Sequence, residues 1–132
     1  MIIDQARLAL STGANTSASA ATPVDCVGEL ESLFFSWATS QVTKNVTYVV
    51  QTQGKNGQVD TLFSAVLASN ASGWYHPRHL IHSSAGVAAL FAAGGTSVLE
   101  KFAVFDPLVF SVTGADTGLA GSPYSMTAYL RK

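Results

Sequence analysis

The chain has 132 residues, and only seven Lys or Arg and eight Asp or Glu carry charge, 11% of the total. Soluble domains average about a quarter charged. The formal net charge is −1, and the basic residues are scattered without forming a positive stripe, which argues against nucleic acid as a partner. No uninterrupted apolar stretch approaches the ~18 residues of a spanning helix, so no membrane partner is expected. A surface built mainly from neutral groups loses little on being covered, because desolvating them costs far less than desolvating ions.

The length predicts a single domain spanning residues 1–132, and an apolar content of 48% provides a core for it. Cys26 is the single cysteine, so no internal disulfide can form. Its position within an apparent strand is typical of a small buried hydrophobe. Asp4 near the N-terminus, with no apolar segment after a basic start, predicts that a secretory signal is absent.

The first part of the chain is predicted to form strands. Residues 2–10 alternate, with Ala6, Leu8 and Leu10 on one side, as in a half-buried strand. Residues 11–21 (STGANTSASAA) form either a mobile connection or an extended arm lying along a neighbouring molecule. A second strand is predicted over residues 22–27, a buried apolar run over 33–37, and the clearest strand over 46–53.

The second part continues the pattern. Glycines at 54 and 57 predict a turn, followed by a partner strand at 61–68 and another turn at 69–73. Further strands are expected at 78–82, 98–105, 108–113 and 124–130. The ranges 98–105 and 108–113 count as one strand if Asp106-Pro107 only interrupts it. Residues 86–93 are the one helical candidate, ended by two glycines. The prediction is an all-β fold: an antiparallel β-sandwich or barrel of about eight strands with at most one short helix.

Three histidines, His76, His79 and His82, recur at every third residue. Residues three apart on a strand point to opposite faces, and Pro77 argues against a helix. No acid or cysteine accompanies them locally. These features argue against a metal site, which stays open only as the alternative. The favoured interpretation is a packed loop whose histidines donate hydrogen bonds to backbone carbonyls.

Catalytic and cofactor motifs are absent from the sequence. The acids Asp25, Glu29 and Glu31 could hold a hard cation, but they lack a calcium-loop pattern, so a solvated turn is favoured. There is no GxSxG motif and no Gly-rich phosphate loop. We therefore predict that the protein is not an enzyme, and we assign no catalytic, cofactor-binding or metal-binding residue.

Trp74 and Tyr75 lie in a predicted loop between Gly73 and Pro77, with Arg78 nearby. Two interpretations stay open. The aromatic rings cap the core, or the three residues anchor an interface, since Trp, Tyr and Arg are the types that carry most interface energy.

Three segments resemble small structural proteins of tailed bacteriophages. They are the opening MIIDQARLALSTGANTSASAATPVDCVG, the middle VTYVVQTQ and TLFSAVLAS, and the ending FSVTGADTGLAGSPYSMTAYL. Together they cover roughly half of the chain. The family is that of the capsid cement, or decoration, proteins, which are jelly-roll sandwiches on the outside of the phage head.

The resemblance implies a virion protein that is made in the host cytoplasm and clamps neighbouring capsomers of the major capsid protein. It also implies a homo-oligomer, for which a dimer is favoured over a trimer. Two alternatives stay open: another virion component, such as a head–tail connector or tail protein, and a carbohydrate-binding sandwich that uses Trp74 and Tyr75.

Overall fold

In the computed structural model the chain is described over residues 3–23, 25–37, 45–55, 57–68, 73–80, 99–115 and 123–132. This part of the chain forms eleven strands. They are β1 (Ile3–Leu10), β2 (Ser17–Ala21), β3 (Gly28–Trp37), β4 (Val46–Thr52), β5 (Thr61–Leu67), β6 (Gly73–Tyr75), β7 (His79–Leu80), β8 (Leu99–Glu100), β9 (Ala103–Val104), β10 (Leu108–Thr113) and β11 (Tyr124–Arg131).

The strands form two sheets that pack face to face, and their pairings are antiparallel. Sheet A has the order β1-β11-β3-β6, with β9 also paired to β3, and sheet B has the order β2-β10-β4-β5. A separate ribbon joins β7 to β8. The predicted antiparallel β-sandwich is confirmed. The predicted helix at 86–93 lies outside the described residues.

The core lies between the sheets and is centred on Phe35. Its ring lies 4.9 Å from Tyr48, 5.1 Å from Phe63, 5.6 Å from Tyr75 and 5.8 Å from Phe110, measured between ring centroids. Strictly alternating burial along β4 and β11 adds further core residues from every second position. This is the period expected of strands with one buried face.

The strands predicted at 2–10, 46–53, 61–68, 108–113 and 124–130 are confirmed within two residues at either end. The predicted turn after β4 is confirmed as well. Gly54 and Gly57 have φ angles of 78° and 85°, and the Gly57 N–H donates to the Gly54 carbonyl at 2.9 Å.

The strand predicted at residues 22–27 is wrong. β2 belongs to sheet B and β3 to sheet A, so this segment crosses from one sheet to the other and β3 begins only at Gly28. Two backbone bonds hold the crossing, from the Thr22 N–H to the Leu108 carbonyl and from the Cys26 N–H to the Asp106 carbonyl. Cys26 is buried there, as predicted for a small hydrophobe.

Residues 11–21 also differ from both interpretations of the sequence. Ser17–Ala21 is an edge strand of sheet B that pairs with β10, from Ser17 opposite Thr113 to Ala21 opposite Val109. A turn with Gly13 at a φ of 57° precedes it. Residues 17–21 therefore belong to the sandwich as a strand, and residues 11–16 form the connection between β1 and β2.

A β-bulge in β3 changes which residues of that strand face the core. Leu130 pairs with Leu30 and Tyr129 with Ser32, which leaves Glu31 as the extra residue. Because of this shift, Leu30 and Leu33 both face the core although they are three residues apart.

The bulge carries a charged group that we call the Glu31 cluster, formed by Glu31, Arg78, Lys101 and Arg131. A carboxylate oxygen of Glu31 lies 2.6 Å from Lys101 Nζ and 2.7 Å from Arg131 Nε. Arg78 Nη1 donates to the Glu31 main-chain carbonyl at 3.2 Å. The cluster therefore fixes the one irregular point of the central strand of sheet A.

Replacing Glu31 by Gln is expected to lower stability at neutral pH but not in acid. The hydrogen bond from Lys101, aided by the charge of Arg131, holds the pKa of Glu31 below its ordinary value of 4.5. The ionised carboxylate thus stabilises the fold above that value, and the contribution is lost as pH falls through the lowered pKa. In urea unfolding we expect a difference of about 1 kcal/mol at pH 7, which shrinks as the pH is lowered below 4.5. A difference independent of pH would contradict this account.

Candidate contact surfaces

One exposed aromatic group stands on the outer face of sheet A. β6 pairs with β3 so that Trp74 lies opposite Phe34. The Trp74 ring centroid is 4.9 Å from that of Phe34 and 5.3 Å from that of Tyr129, and 54% of Trp74 is exposed. We call Phe34, Trp74 and Tyr129 the Trp74 cluster. It stands on three adjacent strands, so the sheet holds it rigidly.

The surroundings of the Trp74 cluster are mostly neutral. Strand pairing places Thr127 beside Phe34 and Gln5 beside Tyr129, with Ser36 and Ser125 in the next row. The charged residue in the row of Trp74 is Arg7, which lies at the opposite edge of the sheet on β1. Beyond Tyr129, the next outward residue of β11 is Arg131, which belongs to the Glu31 cluster. The Trp74 cluster is therefore an apolar centre with hydroxyl and amide groups on one side and the ion-paired Glu31 cluster on the other.

The loop predicted around Trp74 and Tyr75 is wrong for residues 73–75, which form β6. Adjacent residues of a strand point to opposite faces, so the two rings separate. Tyr75 is partly buried between the sheets, 4.9 Å from Phe63 and 5.6 Å from Phe35. Tyr75 caps the core, whereas Trp74 is exposed on the outer face of sheet A.

Arg78, the third predicted interface residue, is half-buried. Its Nη1 donates to the main-chain carbonyls of Glu31 at 3.2 Å and Pro77 at 2.7 Å. These bonds hold the guanidinium to the bulge of β3. Of the three residues predicted to form an interface, Trp74 is the one left more than half exposed, and its role in contact stays a prediction.

The outer face of sheet B carries no ionisable side chain at the twelve positions where its four strands align. We call it the neutral face. Strand pairing arranges it in three rows: Ser17, Thr113, Thr47, Val66; Ser19, Ser111, Val49, Ser64; and Ala21, Val109, Gln51, Thr61. Sequence analysis did not predict this face, because it appears only once β2 is known to be a strand and the register is fixed.

A third surface lies at one end of the sandwich. Val27, Ala103 and Phe105 line a shallow groove there, with Arg131 and Lys132 at its rim. Phe105 is 70% exposed. The two-residue strand β9 ends before Phe105 and leaves it outside both sheets.

The candidate cation ligands are engaged with basic side chains. Asp25 binds Lys55 at 2.8 Å, Glu29 lies 3.9 Å from Lys101, and Glu31 belongs to its own cluster. Within the described residues, no group of three or more His, Cys, Asp or Glu is placed to hold a metal ion.

The histidines are held by different contacts from those predicted. His79 begins β7, where its Nε2 lies 3.1 Å from a Glu100 carboxylate oxygen and its ring 4.8 Å from that of Phe102. His79 therefore contacts a carboxylate and an aromatic ring. His76 is exposed, and His82 lies outside the described residues.

No protein-family model matches the chain, and neither a curated protein nor a solved structure shows significant similarity to it. In the described part of the chain, no helix is long and apolar enough to cross a membrane. The chain belongs to the class of antiparallel β-sandwiches, and its exposed surfaces are the features that can bind a partner.

Proposed function

We propose that this protein is a virion structural protein of the cement type, which binds the outside of a phage head and clamps neighbouring capsomers of the major capsid protein. The phage assignment comes from the resemblance of the opening, middle and closing segments to cement proteins. The observation that carries a binding role is the Trp74 cluster, a half-exposed aromatic group built on a rigid sheet. Rigid aromatic anchors with a polar border are typical centres of protein interfaces.

The distribution of charge supports this role. The Trp74 cluster has neutral side chains along one side, and the charges on its other side are paired within the Glu31 cluster. The neutral face covers the opposite side of the sandwich. A protein that stays bound at many equivalent places on a shell benefits from contacts with a small desolvation penalty. The proposed role requires no catalytic group or cofactor.

A carbohydrate-binding sandwich is the second candidate, because the same aromatic group is bordered by hydroxyl-bearing side chains. The ring planes argue against it. Trp74 is tilted by 46° from Phe34 and by 38° from Tyr129, so the cluster presents no flat platform on which several sugar rings could stack. A protein surface with its own projecting side chains fits the cluster better.

The test is mass spectrometry of purified virions before and after a wash in about 1 M salt, where the screening length falls to ~3 Å. We expect the protein in hundreds of copies per head, retained after the wash because attachment does not depend on ion pairs. Absence from unwashed particles, or presence only in isolated tails, would contradict the cement function. Release by salt alone would instead contradict the neutral contact.

A further inference from the structure

β5 is an open edge of sheet B. It pairs with β4 on one side, and no other described strand pairs with it. Its seven residues, TLFSAVL, include no charge and no proline, and Val66 is 67% exposed. Natural proteins usually protect such edges with charges, prolines or a covering element, because unpaired backbone groups recruit further strands.

We propose that β5 pairs antiparallel with β5 of a second copy of this chain, so that sheet B continues through eight strands. The two-fold axis then passes through Ala65, perpendicular to the sheet. Phe63 of one copy meets Leu67 of the other on the inner side, and Ser64 meets Val66 on the outer side. The inward and outward sets therefore stay on their own faces, as a self-complementary pair requires.

The distribution of charge favours a second copy as the occupant. The nearest charged residue along the chain is Asp60, just before β5. In an antiparallel pair the two Asp60 residues lie at opposite ends, about 30 Å apart at ~3.3 Å per residue. No like charges oppose each other, so two identical strands meet without repulsion.

The other edges are less suited to this pairing. β1, at the edge of sheet A, carries Asp4 and Arg7. β6 has only three residues, and β2 offers only serine and alanine. Among the described strands, β5 is the longest uncharged edge, and it brings Phe63, Val66 and Leu67 to the contact.

The pairing adds a mode of binding to the proposed function, and its biological role rests on that function. Because the axis is perpendicular to the sheets, both Trp74 clusters face the same side of the dimer. One dimer then presents two equivalent anchors to the shell, and the second contact forms at a raised effective concentration. This is the geometry needed to clamp two neighbouring capsomers.

Disulfide trapping of the free protein tests the pairing. In a Cys26→Ala background, Ser64→Cys and Val66→Cys variants are mixed in equal amounts and oxidised, and cross-linked dimer is measured on non-reducing gels. We expect the mixture to cross-link at least tenfold faster than a Thr47→Cys control. Thr47 lies in the same row as Val66 but one strand inside the edge, so two copies of it cannot approach within disulfide distance.

A second experiment compares the dimer affinities of the Val66→Lys and Thr47→Lys variants by analytical ultracentrifugation. A single strand pair forms a small contact, so the free dimer should be concentration-dependent. We expect Val66→Lys to weaken it at least tenfold and Thr47→Lys to have little effect. Equal effects would indicate that neutral faces pack on each other, and cross-linking at the control rate would overturn the pairing. A trapped dimer of a protein absent from virions would reject the proposed function and leave the pairing intact.

Discussion

Replacing Phe35 by alanine is expected to lower the free energy of unfolding by about 4 kcal/mol. Phe35 is fully buried and contacts aromatic rings from both sheets, with Tyr48 and Phe110 on sheet B and Tyr75 on sheet A. Truncation would leave a cavity. The strands around it cannot move to fill it, because hydrogen bonds to their neighbours hold them in place. The total free energy of unfolding of a single domain is only about 5–15 kcal/mol, so this loss is a large fraction of it.

The matched control is Phe34→Ala, the same substitution one residue earlier. Phe34 points to the outer face, is only half-buried and packs against Trp74, so we expect a loss of about 1 kcal/mol. Guanidinium unfolding of both variants gives the comparison. Equal losses would show that the assignment of the two rings to opposite faces is wrong.

The sequence predicted those elements whose signal is local. β4 and β11 carry a buried-face residue at every second position, and both are predicted within two residues of their observed ends. The run LFFSW was predicted to be buried, but it does not alternate, so it could not show which phenylalanine faces the core. That choice depends on the bulge at Glu31, which exists only through pairing with β11.

The missed features depend on partners far along the chain. The SASAA segment has no apolar signal of its own and is a strand because β10, about 90 residues later, pairs with it. The strand β6 has three residues and forms against β3, so Trp74 and Tyr75 could not be assigned to opposite faces in advance. The neutral face and the open edge of β5 likewise follow from the register.

Trp74→Ala is expected to weaken attachment to the capsid by about thirtyfold, or about 2 kcal/mol, the usual cost of truncating a central aromatic anchor. The fold should persist, because Trp74 is 54% exposed and its loss removes contacts only on the outer face. The assay is co-sedimentation with particles that lack the protein, with circular dichroism to check the fold. Unfolding of the variant would assign Trp74 to the structure of sheet A instead.

Phe105→Ala is the matched control for this test. Phe105 is more exposed than Trp74, at 70%, but it lies in the groove at the end of the sandwich, away from the aromatic cluster. We expect its truncation to leave attachment within about twofold, because the ring lies outside the proposed contact surface and residues away from the centre of an interface contribute little. If Trp74→Ala folds and attaches normally, the outer face of sheet A is not the contact. The surface that meets the capsid would then be the neutral face, where β2 places the uncharged residues 17–21 at the edge of the sheet.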